Sequence, residues 1–180
     1  MKKSLIVLFA ATCSMLTVSQ AEVLNINGDF ARSQLNFRSV RGWTKNYPKK
    51  PNIGKSAAIK GEKPGTFALK VTTTSEDTPF FSVKVPAKAG DKFKVNTKVT
   101  GSGKIQFRLY LYKSPNDYLG SAIGKEIAIP ADGMISDEIT IKPVKRGEVE
   151  SIAVAILVLK NSDVVIHNIA AEKITAPAGK

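Results

Sequence analysis

Cysteine is all but absent: the 180-residue chain has one, Cys13, in its amino-terminal segment. No internal disulfide is therefore available, and packing must hold the fold together. Histidine is represented by His167 alone, which excludes a multi-histidine transition-metal site. The sequence also has no GxSxG elbow, no HExxH motif and no GxxxxGK[ST] phosphate loop. A glycosidase needs two carboxylates across a shared site. Glu76-Asp77 and Asp137-Glu138 are adjacent pairs, and neighbours on a strand point to opposite faces. These absences lead to the expectation that the protein is not an enzyme, with a glycoside hydrolase as the weaker reading. After residues 5–18 no long apolar run occurs, and that one is short of the roughly 20 residues a membrane helix requires.

What is present at the amino terminus is a cationic start, Lys2 and Lys3, then the apolar run, then Ser19-Gln20-Ala21. That is the build of a secretory signal peptide, so residues 1–21 are read as a leader and the location as secreted or periplasmic, without an integral membrane anchor. Ala10-Ala11-Thr12 ahead of Cys13 makes a poor lipobox, and cleavage there would leave an unusually short signal. Residues 22–174 are long enough for one well-buried domain, and residues 175–180 read as a flexible tail.

Lys and Arg number 27 against 15 acidic residues, a formal charge of +12. Two readings follow. The lysines, spread along the chain instead of blocked, are solvated on strand faces, or they attract anionic polymers or a protein partner in an adhesive or structural role. No RNP-like aromatic motif or basic recognition helix is visible, so nucleic acid is not an expected partner.

Period-two alternation dominates the body of the chain. Phe93, Val95, Thr97 and Val99 alternate with Lys92, Lys94, Asn96 and Lys98; Ile105, Phe107, Leu109 and Leu111 alternate with Gln106, Arg108, Tyr110 and Tyr112. Phe67, Leu69 and Val71 repeat the pattern, and further strands are expected at 23–26, 56–59, 80–85, 125–129, 134–141, 152–159 and 164–174. Residues 152–159 are apolar on both sides, which predicts a central strand covered on both faces. Gly, Pro, Asn and Asp cluster between these segments. The expected fold is all-β, an antiparallel sandwich.

Near the start, LNINGDF (24–30) places a turn-forming Asn27-Gly28 directly after a strand-like fragment, allowing a left-handed backbone there and insertion of Phe30 into the core. This stretch, followed by Gly42-Trp43, resembles the opening of the CenC-type carbohydrate-binding modules of families four and nine. VVIHNIAAE (164–172) looks like their closing strand, and residues 90–112 look like their central hairpin. The resemblance implies a galactose-binding-like jelly roll that binds a polysaccharide or glycan. Such modules normally ride on an enzyme, whereas this one is expected to stand alone, as a monomer with no attached hydrolase. It also implies a structural calcium, with Asp29 and Asn168 as candidate ligands. Ala31 and His167-Asn168 stand where the family usually has an acidic residue and paired aspartates, which lowers the count of hard oxygen ligands below what calcium takes. No other cofactor is expected.

Sugar binding needs apolar ring faces together with planar groups that hydrogen-bond hydroxyls in pairs. If Ile105, Phe107, Leu109 and Leu111 face the core, then Gln106, Arg108, Tyr110 and Tyr112 form a row on the opposite face, two polar forks beside two aromatic plates. Tyr118, expected in the loop after Asn116-Asp117, is placed to close one side. Trp43 completes the candidate ligand-binding set, with core packing as its other reading. The whole row has an ordinary alternative as well, cross-strand tyrosines that stabilise an exposed sheet.

Overall fold

The computed structural model describes residues 21–31, 33–37, 39–45 and 54–174. Apart from Ala21, the leader expected at 1–21 lies outside the described residues, as does the tail at 175–180. Eleven strands are described: β1 (Ala21–Val23), β2 (Trp43–Lys45), β3 (Lys55–Lys60), β4 (Phe67–Thr72), β5 (Thr78–Pro86), β6 (Lys92–Ser102), β7 (Lys104–Ser114), β8 (Asp117–Ala128), β9 (Met134–Thr140), β10 (Ser151–Val158) and β11 (Asp163–Ile174). They form two sheets. The six-stranded sheet runs β3-β4-β11-β6-β9, with β1 also pairing β11; the five-stranded sheet runs β2-β5-β10-β7-β8. All the strand pairings are antiparallel. Because β4, β5, β6 and β7 alternate between the sheets, the connections cross from one layer to the other and enclose a common core, the winding of a jelly-roll sandwich.

The period-two pattern predicted this partition well. On β6, Phe93, Val95, Thr97 and Val99 are buried while Lys92, Lys94, Asn96 and Lys98 are half-buried on the outer surface. Phe80, Phe107, Leu109, Ile156 and Ile166 join them in the core. As expected, β10 is central and covered on both sides: Ile152, Val154, Ile156 and Val158 face the core, while Ala153, Ala155 and Leu157 belong with Leu159 to a second apolar cluster on the outer face.

Three elements were not legible in this way. β1 was expected at 23–26 and is Ala21–Val23, with residues 24–26 outside any strand because they already lead into the turn at Asn27. β8 was expected at 125–129 and extends over Asp117–Ala128, so that Tyr118 is a strand residue instead of a loop residue. Its pairing with β7 shifts register at three places, and each shift breaks the alternation that would announce a strand. β2 has three residues, too few for a period to register.

The opening turn does what its residues predict. Asn27 has φ 51° and Phe30 φ 56°, and Phe30 is fully buried with its ring edge-on to Trp43 at 6.2 Å. A bulky side chain at positive φ is disfavoured, so burial of this ring must offset a cost of roughly 1–2 kcal/mol. Gly28 lies against β11: its carbonyl accepts the Ile169 N–H at 2.7 Å, and a Cβ at position 28 would sit 1.5 Å from the Ile169 oxygen.

Candidate functional site

On β7 the four predicted positions do share the outer face, because Ile105, Phe107, Leu109 and Leu111 all enter the core. Register defines their neighbours. On β10, Leu157, Ala155, Ala153 and Ser151 stand opposite Gln106, Arg108, Tyr110 and Tyr112; on β8, Ser121 and Tyr118 stand opposite Tyr110 and Tyr112. Ala153 and Ala155 are small, and they leave room above β10 that large side chains from either side fill. Tyr110 does so. It belongs to the apolar cluster with Ala153, Ala155 and Leu157, meets Phe81 of β5 edge-on at 4.6 Å, and is 9% exposed. The expectation of an outward aromatic plate is corrected for Tyr110, whose ring is chiefly a cover for the central strand.

The rings open to solvent are Tyr118, 41% exposed, and the half-buried Tyr112. Tyr118 lies 5.7 Å from Tyr110 and 5.8 Å from Tyr112 between ring centres, so the three tyrosines form one patch. The Lys84 ammonium sits 3.7 Å from the centre of the Tyr112 ring and donates to the Pro115 carbonyl. Burial, and after it the neighbouring Tyr118, raises the Tyr112 phenol above its ordinary value, so the hydroxyl stays protonated through neutral pH.

The two polar members of the row act as a pair. Gln106 is 7% exposed; its side-chain amide donates to the Gly124 carbonyl at 3.0 Å, and its oxygen accepts Arg108 Nε–H at 2.8 Å. Gln106 is thus a support, not the surface fork expected from the sequence. Arg108 reaches a cleft of about 450 Å³ that Glu76, Asp77, Pro79, Leu157 and Lys160 also line. Sequence reasoning missed this cleft. Strand geometry would make Glu76 and Asp77 diverge, but the pair precedes β5, and both residues line this cleft. Asp77 Oδ1 accepts the Lys160 backbone N–H at 3.0 Å. Among the described residues Arg108 makes no ion pair.

Trp43 does not join this face. It is 4% exposed, its indole N–H donates to the Asn27 carbonyl at 3.2 Å, and it packs on Phe30, so no sugar ring can stack on it. The two calcium candidates do not make a calcium site either. Asp29 Oδ1 accepts the Ala31 N–H at 3.1 Å and closes its own turn; Asn168 Oδ1 accepts the Lys98 N–H at 3.0 Å on the outer face of the six-stranded sheet. Among the described residues no three His, Cys, Asp or Glu side chains converge. Calcium takes six to eight oxygens, and these residues do not fit it.

His167 sits at a bulge of β11. Its Nε2 pairs with the Thr100 hydroxyl at 2.9 Å, while Nδ1 lies 3.6 Å from Glu62 Oε1, close enough for an ion pair but too far for a hydrogen bond. Lys98 bonds the same Glu62 carboxylate at 2.7 Å. Elsewhere on this sheet Lys92 pairs with Glu138 and Lys70 with Asp163. Asp137 and Glu138 diverge as strand geometry demands: Asp137 is buried and accepts the Lys125 N–H at 2.8 Å, whereas Glu138 is exposed.

No family model matches the chain, and no curated protein matches it in sequence. Solved structures do match its fold. An apo-form cyclase from Fischerella sp. is 12% identical with a TM-score of 0.62, the match covering 89% of this chain and 98% of that one. A Stig cyclase, Fisc, from Fischerella sp. TAU, in complex with (3Z)-3-(1-methyl-2-pyrrolidinylidene)-3H-indole, is 11% identical with a TM-score of 0.59, covering 89% and 100%. The CBM22-2 xylan-binding domain from Paenibacillus barcinonensis Xyn10C is 10% identical with a TM-score of 0.51, covering 78% and 98%. At such identities the likeness establishes the β-sandwich fold, which cyclases and a carbohydrate-binding module share.

Proposed function

We propose that the protein is an exported, non-catalytic glycan-binding module, of the kind the CenC-type modules represent, whose ligand lies on the outer face of the five-stranded sheet. The observation that carries this reading is that an aromatic patch and a polar cleft lie along one face. Tyr110, in ring contact with the exposed Tyr118, is two residues along β7 from Arg108, which lines the cleft. Tyrosine rings offer apolar faces to the C–H surfaces of a pyranose, and the charged and polar groups of the cleft suit its hydroxyls.

A sandwich of this kind hosts unrelated functions, so the choice rests on residues and not on the fold. Among the described residues, His167 is engaged with Thr100 on the other sheet, and Asp77 accepts a backbone hydrogen bond in the cleft. Both arrangements favour binding over catalysis. The adhesive alternative loses ground because the outward lysines 70, 92 and 98 pair with carboxylates on their own sheet, leaving less of the basic charge unopposed.

A broad glycan array, run at two salt levels and with and without calcium, tests the proposal. Binding that weakens with salt but keeps a salt-resistant part, and that falls in Tyr118→Ala, supports it. An array with no hits under any condition removes the glycan reading.

A further inference from the structure

The arrangement around Arg108 narrows the class of glycan, given the binding role just proposed. Three features combine there. The guanidinium is held at Nε by Gln106, itself buried and tied to Gly124, so the plane of the fork is set before any ligand arrives. Arg108 lines the cleft without an ion pair to Glu76 or Asp77 on its wall, whereas Asp77 is turned to the Lys160 backbone. Finally, without Lys2 and Lys3 of the expected leader the chain keeps 25 basic residues (27 less 2) against 15 acidic, an excess that draws polyanions toward it.

A guanidinium anchored at Nε presents its two terminal nitrogens side by side, the arrangement that meets a carboxylate through two parallel hydrogen bonds. A pair of neutral sugar hydroxyls can meet the same two donors, but the charge-assisted bonds to a carboxylate are about twice as strong. We infer that Arg108, positioned by Gln106, is the specificity-determining contact for a carboxylate on the bound glycan, and that the ligand is a polysaccharide containing uronic acid. The exposed Tyr118 ring then stacks on a pyranose further along the glycan, and the polar groups of the cleft take its hydroxyls.

Calorimetric titration of the purified protein with an oligogalacturonate and with the methyl ester of the same oligosaccharide isolates the carboxylate, since the sugar skeleton is unchanged. The free acid is expected to bind about tenfold or more tightly than the ester, the ratio one charge-assisted pair of hydrogen bonds supplies. Arg108→Lys keeps the charge but not the fork, and Gln106→Met keeps the bulk but not the anchor. Both are expected to lower the acid-to-ester ratio, the first more than the second, with circular dichroism reporting that the fold is intact.

Equal affinity for acid and ester, or a ratio that Arg108→Lys leaves unchanged, overturns the inference while leaving glycan binding in place. Dextran sulfate serves as the charge control. If it binds as tightly as the galacturonate and is equally indifferent to Arg108→Lys, general attraction to polyanions is the explanation and the inference falls. Should neither oligosaccharide nor any neutral glycan bind, both this inference and the proposed function fall.

Discussion

Arg108 Nε–H donates to the side-chain oxygen of Gln106 at 2.8 Å, so one outer position of β7 holds another in place. Residues two apart on a strand share a face, which is why the sequence brings them together; their division of labour follows from burial of Gln106 against the Gly124 carbonyl. Gln106→Leu leaves that carbonyl without its partner and is expected to lower stability by about 1–2 kcal/mol in urea unfolding. Arg108→Lys is expected to stay within about 0.5 kcal/mol of the parent. Equal losses for the two would contradict the roles assigned to them.

The tyrosines divide in a similar way. Tyr110→Ala opens a cavity over Ala153 and Ala155 and removes the edge contact to Phe81, and should cost about 3 kcal/mol. Tyr118→Ala removes an exposed ring and part of two aromatic contacts, and should cost no more than about 1 kcal/mol. A melting curve for each variant decides the point, and a Tyr118 loss as large as that of Tyr110 would count against Tyr118 as a surface residue.

Gly28 is a position where no side chain fits. A Cβ there would lie 1.5 Å from the backbone oxygen of Ile169, which β11 holds in its ladder with β6. Gly28→Ala is expected to cost about 3 kcal/mol or more, or to abolish soluble expression. A variant that melts with the parent would show that the turn is able to move away from β11.

Acid should weaken the fold through His167. Burial holds its pKa below the ordinary imidazole value; Glu62 opposes that shift and Lys98 adds to it, while Thr100 faces the other nitrogen. The unfolded chain then takes up this proton at a higher pH than the folded one, so stability declines as the pH drops below about 6.5 and levels off below the folded value. Urea midpoints between about pH 8 and about pH 5 should show this slope, and His167→Gln should flatten it. Glu62 is depressed chiefly by its hydrogen bond from Lys98, so its contribution is present above the unfolded carboxylate value and is lost only as the pH falls below about 4.3, in a separate window. A parent protein with the same midpoint throughout the upper window would refute the assignment to His167.

Strand identity and facing were legible wherever alternation ran unbroken, as on β6 and β7. They were lost on β8, where register shifts interrupt the alternation, and on β2, which is too short to show any. The site was legible only as a row of residue types. Trp43, directly after Gly42, left core and ligand readings open, and its hydrogen bond to Asn27, 16 residues away, decides for the core. The Arg108 cleft left no trace, because Glu76, Asp77 and Lys160 reach it from loops distant in sequence.

By itself the sequence determined the all-β character, the inward and outward sides of the main strands and the need for a turn at Asn27-Gly28, since each depends on a few consecutive residues. Tertiary structure alone decided which outward residues meet solvent. Tyr110 and Gln106 occupy outward positions yet are covered, the first alongside Phe81 and Ala153 and the second against Gly124. Alternation dictates a side chain's direction, but its cover comes from neighbouring strands that the chain reaches only by crossing between layers.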